Sequence, residues 1–135
     1  CLSQVIELKK THGFKLVVDF DVYRDFADME RFAPYIDFFM ISGSEELLPM
    51  FRGLSNKYSC LFNVSLAEHG SVTYFNGQEY RVQAVKVESI IDTTGCGDSY
   101  HAGFVCSYML ENDIEKAMRV GSEIAAETLK HYGGF

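Results

Sequence analysis

No run of apolar residues in this chain approaches the roughly 18 that a membrane span needs, and no cluster of basic residues offers a grip on nucleic acid or anionic lipid. Twelve Lys and Arg against 19 Asp and Glu leave a formal charge of -7. A sequence-independent electrostatic hold on polyanions is therefore excluded, and any phosphate must be held by local geometry. Cysteine and histidine are sparse: Cys1, Cys60, Cys96 and Cys106 form no CxxC pair, and His12, His69, His101 and His131 form no HxxxH or HExxH motif. A zinc site of the usual spacing is excluded on that pattern. Few cysteines and no secretory signal predict free thiols in a reducing compartment, the cytoplasm. Linkers, repeats and low-complexity stretches are also missing. The triplet Asn63-Val64-Ser65 fits a glycosylation sequon, but it lies in an apolar, strand-like run and reads as core.

What remains is one domain's worth of chain, 135 residues with 47% apolar content, enough for a single packed core. It opens in helical register, with apolar spacing at Leu2, Val5 and Ile6 until Gly13, and without an initiator Met. That opening predicts a piece of a longer protein. Residues 14–21 predict a strand buried on both faces and ending in acids, and Asp25 to Phe32 a short helix halted near Pro34. Ile36 to Ile41 predicts a second buried strand. The cluster Ser42-Gly43-Ser44-Glu45-Glu46 predicts the cap of a helix running through Leu54. Residues 59–65 predict a third strand, and Asn76-Gly77 joins residues 71–75 and 78–82 in a hairpin. Two helices close the chain, one from the glycine-rich loop to about Leu110 and one from Asp113 to about His131. This alternation predicts an α/β layered fold with a mostly parallel sheet and one small antiparallel feature.

Chemistry concentrates in Asp92-Thr93-Thr94-Gly95-Cys96-Gly97-Asp98-Ser99-Tyr100-His101-Ala102-Gly103-Phe104. Two glycines one residue apart let the backbone turn tightly at a helix mouth, so that the amides of Gly95, Cys96 and Gly97 converge at the positive end of the dipole. The result is an anion hole that needs no lysine. Asp98 falls on the first turn beside it. A carboxylate next to a bound phosphoryl group suits the removal of a proton from an attacking hydroxyl; otherwise it is a first-turn acid complementing the dipole. Cys96 and His101 do not form a nucleophilic pair, since no third orienting group is visible.

The string 92–98 with Ala102-Gly103-Phe104 closely resembles the signature of the ribokinase-like (PfkB) carbohydrate kinases, with Cys96 for the common alanine and Tyr100 for the common phenylalanine. Further segments follow in that family's order. Val64-Ser65-Leu66-Ala67-Glu68-His69-Gly70 resembles the segment that lies along the nucleotide. The resemblance implies nucleotide contacts at Ser65, Ala67, Gly70, Thr94 and Gly97, with Ser122 on the adenine side. Ser42-Gly43-Ser44-Glu45 stands where the family places a glutamate supporting magnesium, although Ser42 replaces the usual asparagine. Ser42 and Glu45 also satisfy a capping box, and Glu46 is the substitute. The resemblance puts Asp92 and the Thr94 backbone near a monovalent cation such as potassium, while turn capping justifies Asp92 equally. Asp19-Phe20-Asp21 with Arg24 only loosely matches a family element and carries no assigned role. The tail from Ala125 to Phe135, with its Gly133-Gly134 pair, and the region from Ile36 to Ser42 most resemble the fructoselysine 6-kinase group.

The resemblance implies a ribokinase-like, Rossmann-like three-layer sandwich. Residues 1–135 would form its C-terminal nucleotide-binding portion, and the substrate and lid half would lie outside the chain. It further implies transfer of phosphate from MgATP to a sugar or sugar-amine hydroxyl, with Asp98 as base, and a homodimer formed through the lid. The chain alone is expected to keep nucleotide contacts without turning over sugar. A second hypothesis is a nucleotide-sensing module that keeps the fold without catalysis; a pure binder, however, needs no base beside its anion. A dinucleotide-dependent oxidoreductase is disfavoured because the loop comes late and lacks GxGxxG spacing.

Overall fold

A computed structural model describes residues 1–22 and 24–134. Tyr23 and Phe135, the last residue of the tail singled out above, lie outside the described residues. The first helix, α1 (Leu2–His12), stops where its spacing ends, at Gly13 in the left-handed region with φ 69°. Strand β1 (Val17–Asp19) is shorter than its apolar run and forms one edge of the sheet. Val17 is 41% exposed, so the strand is not buried on both faces as its composition predicts. Helix α2 (Phe26–Phe32) is capped by Asp25, whose carboxylate accepts from the amides of Ala27 and Asp28. A 3-10 turn containing Pro34 leads into β2 (Phe38–Ser42). A second 3-10 turn (Glu45–Leu47) precedes α3 (Leu48–Lys57), and β3 (Leu61–Ser65) follows.

Strands β1, β2 and β3 run parallel, with Val17 opposite Phe38 and Phe38 opposite Leu61. Only residues 66–70 separate β3 from β4 (Ser71–Phe75), too short a connection for a parallel crossover, so β4 pairs antiparallel with β3. Strand β5 (Gln78–Val82) returns through Asn76 and Gly77, both at positive φ, and sets Phe75 opposite Gln78. The sheet is therefore mixed, in the order β1-β2-β3-β4-β5. Helix α4 (Cys96–Glu111) ends at Asn112, and α5 (Ile114–Thr128), capped by Asp113, stops three residues short of the expected His131.

Alternate side chains of the central strands feed two cores, as buried strands covered on both faces require. On one face Phe39, Ile41, Phe62 and Val64 pack with Ile6, Met29, Phe51 and Leu54 from α1, α2 and α3. On the other, Phe38, Met40 and Leu61 pack with Tyr100, Phe104, Ala117 and Met118 from α4 and α5. This is the three-layer arrangement expected. Asn63 is fully buried, in keeping with its reading as core. All four cysteines are unpaired thiols, and no helix among the described residues is long and apolar enough to cross a membrane.

Candidate active site

The C-terminal ends of β1, β2 and β3 and the first turns of α4 meet on one side of the sheet, the side on which open α/β sheets place ligands. Helix α4 starts at Gly95, with φ 74°. A methyl group on Gly95 would sit 2.6 Å from Cα of Gly134, so the tail's glycine pair packs directly on the loop. Asp92 closes this contact. Its carboxylate accepts from the Thr94 amide at 2.9 Å and the Thr94 hydroxyl at 2.7 Å, and from the Gly133 amide at 2.9 Å. The Gly133 and Thr94 amides hold the Asp92 carboxyl below its usual value of 3.8.

Three consecutive side chains then tie α4 to the rest of the molecule. The Ser99 hydroxyl accepts from Thr128 of α5 at 2.9 Å. Tyr100 donates to Ser71 Oγ at 2.9 Å and accepts from Asn63 Nδ2 at 3.0 Å, and Asn63 also donates to Thr73 at 2.8 Å. Burial pushes the Tyr100 phenol up to about 12, so it remains a neutral donor. His101 Nδ1 lies 3.2 Å from Asp19 Oδ2 at the end of β1.

Asp98 lies between the loop and these anchors. It is exposed, and its carboxylate makes no hydrogen bond or ion pair with another described residue. The amides of Gly95, Gly97 and Asp98 have no acceptor among the described residues, whereas Cys96 spends its amide on the Thr93 carbonyl at 3.3 Å. The expected trio of donors is thus altered by one residue: Asp98 contributes an amide where Cys96 does not. A methyl group on Gly97 would meet nothing within 4 Å. Open amides, a partnerless carboxylate and a positive helix end can hold an anion and take up a proton beside it.

The remaining predicted residues spread more widely. Ser65 donates to Ser42 Oγ at 2.9 Å, and Ser42 in turn donates through its hydroxyl and its amide to Asp21, at 2.8 and 2.5 Å. Ser42 is therefore no capping residue, and the 3-10 turn that follows begins at Ser44 without a side-chain cap. Glu45 forms a two-pronged pair with Arg81 at 2.7 and 3.3 Å, which lowers its carboxyl from the usual range. That pair lines a cleft of about 330 Å³ with Arg52, Tyr74 and Glu79, apart from the glycine loop. Glu46 is exposed. Ala67, at φ 51°, and Gly70 shape the connection between β3 and β4. Ser122 is buried on α5 next to Gly121, which packs on Tyr100. Glu45 and Asp92 do not come together, and no group of three His, Cys, Asp or Glu among the described residues could hold a metal ion.

Sequence reasoning gave no role to Asp19, Asp21 and Arg24, yet all three join this network, with Arg24 donating to the Ser42 carbonyl at 2.6 Å. The available signal was the pair of acids ending an apolar strand. The Asp92 clasp makes a prediction of its own. With the folded carboxyl held low, the clasp is intact above the usual 3.8 and opens only as pH falls through the lower folded value. The Gly133 amide resonance should hold steady from neutral pH and titrate with a midpoint below 3.8; a midpoint above 3.8 rules the clasp out.

The model of the pfkB family of carbohydrate kinases matches residues 1–134. The chain is 32% identical over 124 residues to a fructosamine kinase of Bacillus subtilis, covering 87% of this chain and 42% of that protein. It is 29% identical over 109 residues to a fructoselysine 6-kinase of Escherichia coli, covering 78% of this chain and 41% of that protein. The chain thus spans about two fifths of the length of these curated relatives. A solved structure of a putative ribokinase II from Escherichia coli, in complex with ATP and Mg2+, superposes with a TM-score of 0.82 at 18% identity, covering 98% of this chain and 48% of that one.

Proposed function

Because the chain belongs to the pfkB family of carbohydrate kinases, we propose that it is the C-terminal, nucleotide-binding portion of an enzyme that transfers the γ-phosphoryl group of ATP to a hydroxyl of a sugar or sugar amine. The observation that carries this reading is the Asp98 carboxylate, exposed on the first turn of α4 and without a partner among the described residues, with the open amides of Gly97 and of Asp98 itself alongside. A phosphoryl group seated on those amides would place its phosphorus next to a proton acceptor. The acceptor hydroxyl gives its proton to the Asp98 carboxylate as its oxygen bonds to phosphorus, and the bond from phosphorus to the ADP oxygen breaks. The amides stabilise the charge that develops on the equatorial oxygens.

The residues fit a triphosphate better than a protein-held metal. With Glu45 engaged by Arg81, and with Asp92 engaged by Thr94 and Gly133, magnesium would come with the nucleotide's phosphates rather than sit on these two carboxylates. There it neutralises β- and γ-phosphate charge when bound. Asp92 acts as the clasp of the loop, since a potassium ion on its carboxylate would compete with three donors already in place. Likeness to the fructosamine and fructoselysine kinases supports a fructoselysine-type sugar amine as substrate. The test is an assay of the full-length protein that carries this chain, with MgATP and a panel of fructoselysine, fructose, ribose and adenosine. We expect ADP and a phosphorylated product with fructoselysine at the highest kcat/KM. No phosphorylated product from any member overturns the kinase reading, and a preference for adenosine overturns the substrate.

A further inference from the structure

His101 is the one buried histidine among the described residues, at 8% exposure, and its Nε2 has no hydrogen-bond partner among them. Its other ring nitrogen, Nδ1, lies 3.2 Å from Asp19 Oδ2 and donates to that carboxylate. A buried imidazole that leaves a ring nitrogen unsatisfied is costly. The burial is offset by what the contact joins. His101 is one helical turn past Asp98, on the same side of α4, since residues three apart are neighbours on a helix surface. Asp19 ends β1, and its Oδ1 accepts from the Asp21 amide at 2.8 Å. From Asp21 the polar chain runs through Ser42 to Ser65 across the ends of β2 and β3.

The other two anchors leave one freedom open. Ser99 fastens the turn to α5, and Tyr100 to β3 and β4. Neither reaches β1. The helix starts on a loop with two glycines whose side chains can hold nothing, so rotation of the first turn about its axis is resisted on the β1 side by His101 against Asp19. Misplacing a base by an ångström leaves its chemistry intact and its geometry wrong.

We propose that the Asp19–His101 pair is a positioning device that sets the angle of the first turn of α4, and with it Asp98, against the sheet; this rests on the kinase reading above. His101 and Asp19 are positioning residues and touch no reactant. Three variants of the full-length protein test the idea. His101→Leu fills the buried space without polar atoms. Asp19→Ala removes the carboxylate from a half-exposed site, where loss of packing is small. His101→Asn keeps a donor near the position of Nδ1 and dispenses with the unpaired Nε2.

In a phosphotransfer assay, His101→Leu and Asp19→Ala are expected to lower kcat about tenfold with KM for ATP changed by less than about twofold. His101→Asn should recover most of the loss. Amide exchange across residues 99–101, whose amides are the hydrogen-bonded ones of this turn, should be faster in the first two variants and at the wild-type rate in His101→Asn. Wild-type kcat and exchange in His101→Leu and Asp19→Ala overturn the inference. So does a uniform loss of thermal midpoint in all three variants with kcat and KM moving together, which marks a packing role. Should the wild-type protein phosphorylate nothing, the kinase reading fails separately, and the exchange pattern alone decides whether the pair holds the turn.

Discussion

Asp98→Asn is expected to reduce turnover of the full-length protein by about three orders of magnitude while ATP affinity stays level or rises slightly, as removal of a general base with retained shape requires. Asparagine keeps the volume and the exposed position but accepts no proton at neutral pH. It also removes a negative charge from beside the bound phosphoryl group, and so cannot weaken nucleotide binding through repulsion. The carboxylate has no partner whose loss would confuse the result, because no ion pair or hydrogen bond holds it among the described residues. Steady-state kinetics with sugar amine and ATP, together with a direct ATP titration, separate the two quantities. If kcat falls by less than about tenfold, Asp98 is only a first-turn acid, and its replacement should then cost the helix end a few tenths of a kcal/mol and nothing else.

The second large effect falls on the fold. Gly70→Ala should destabilise the protein by about 3–5 kcal/mol, through backbone strain combined with an unavoidable overlap. Gly70 has φ 91° and ψ -139°, a conformation essentially reserved for glycine. Its added methyl would lie 2.1 Å from the Val82 carbonyl oxygen and 2.9 Å from the Ala84 nitrogen. Both neighbours are backbone, so no side-chain rotation relieves the clash, and the end of β5 must separate from the turn before β4. The midpoint of a urea unfolding curve measures the loss. Gly97→Ala is the matched control: its methyl meets nothing within 4 Å and its φ is not positive, so stability should change by less than about 1 kcal/mol. Loss of more than that in Gly97→Ala, or of less in Gly70→Ala, contradicts the division of labour between a glycine the fold needs and one the site needs.

Local signals in the chain carried far. Leu2, Val5 and Ile6 ended at Gly13 mark α1, Asn76-Gly77 marks the hairpin, and Asp113 marks the start of α5, because each depends on residues within a turn or two of one another. The loop at 92–98 was legible for the same reason: two glycines and a following acid define a helix mouth wherever it occurs. Edges and partners were not legible. Val17 reads as a core residue and is exposed because β1 is the sheet's edge. Ser42 and Glu45 read as a capping box, yet they take Asp21 and Arg81, residues 21 and 36 positions away.

The sequence by itself determined the alternation of strands and helices, the glycine turn at the mouth of α4 and the acid beside it, since hydrophobic period, turn chemistry and the helix dipole act over a few residues. Only the tertiary structure decided that the hairpin adds to the sheet with β4 antiparallel beside β3, that Asp92 clasps Gly133, and that His101 meets Asp19. Those outcomes depend on which backbone ends the packing of two cores brings together, a long-range quantity that no short window of residues contains.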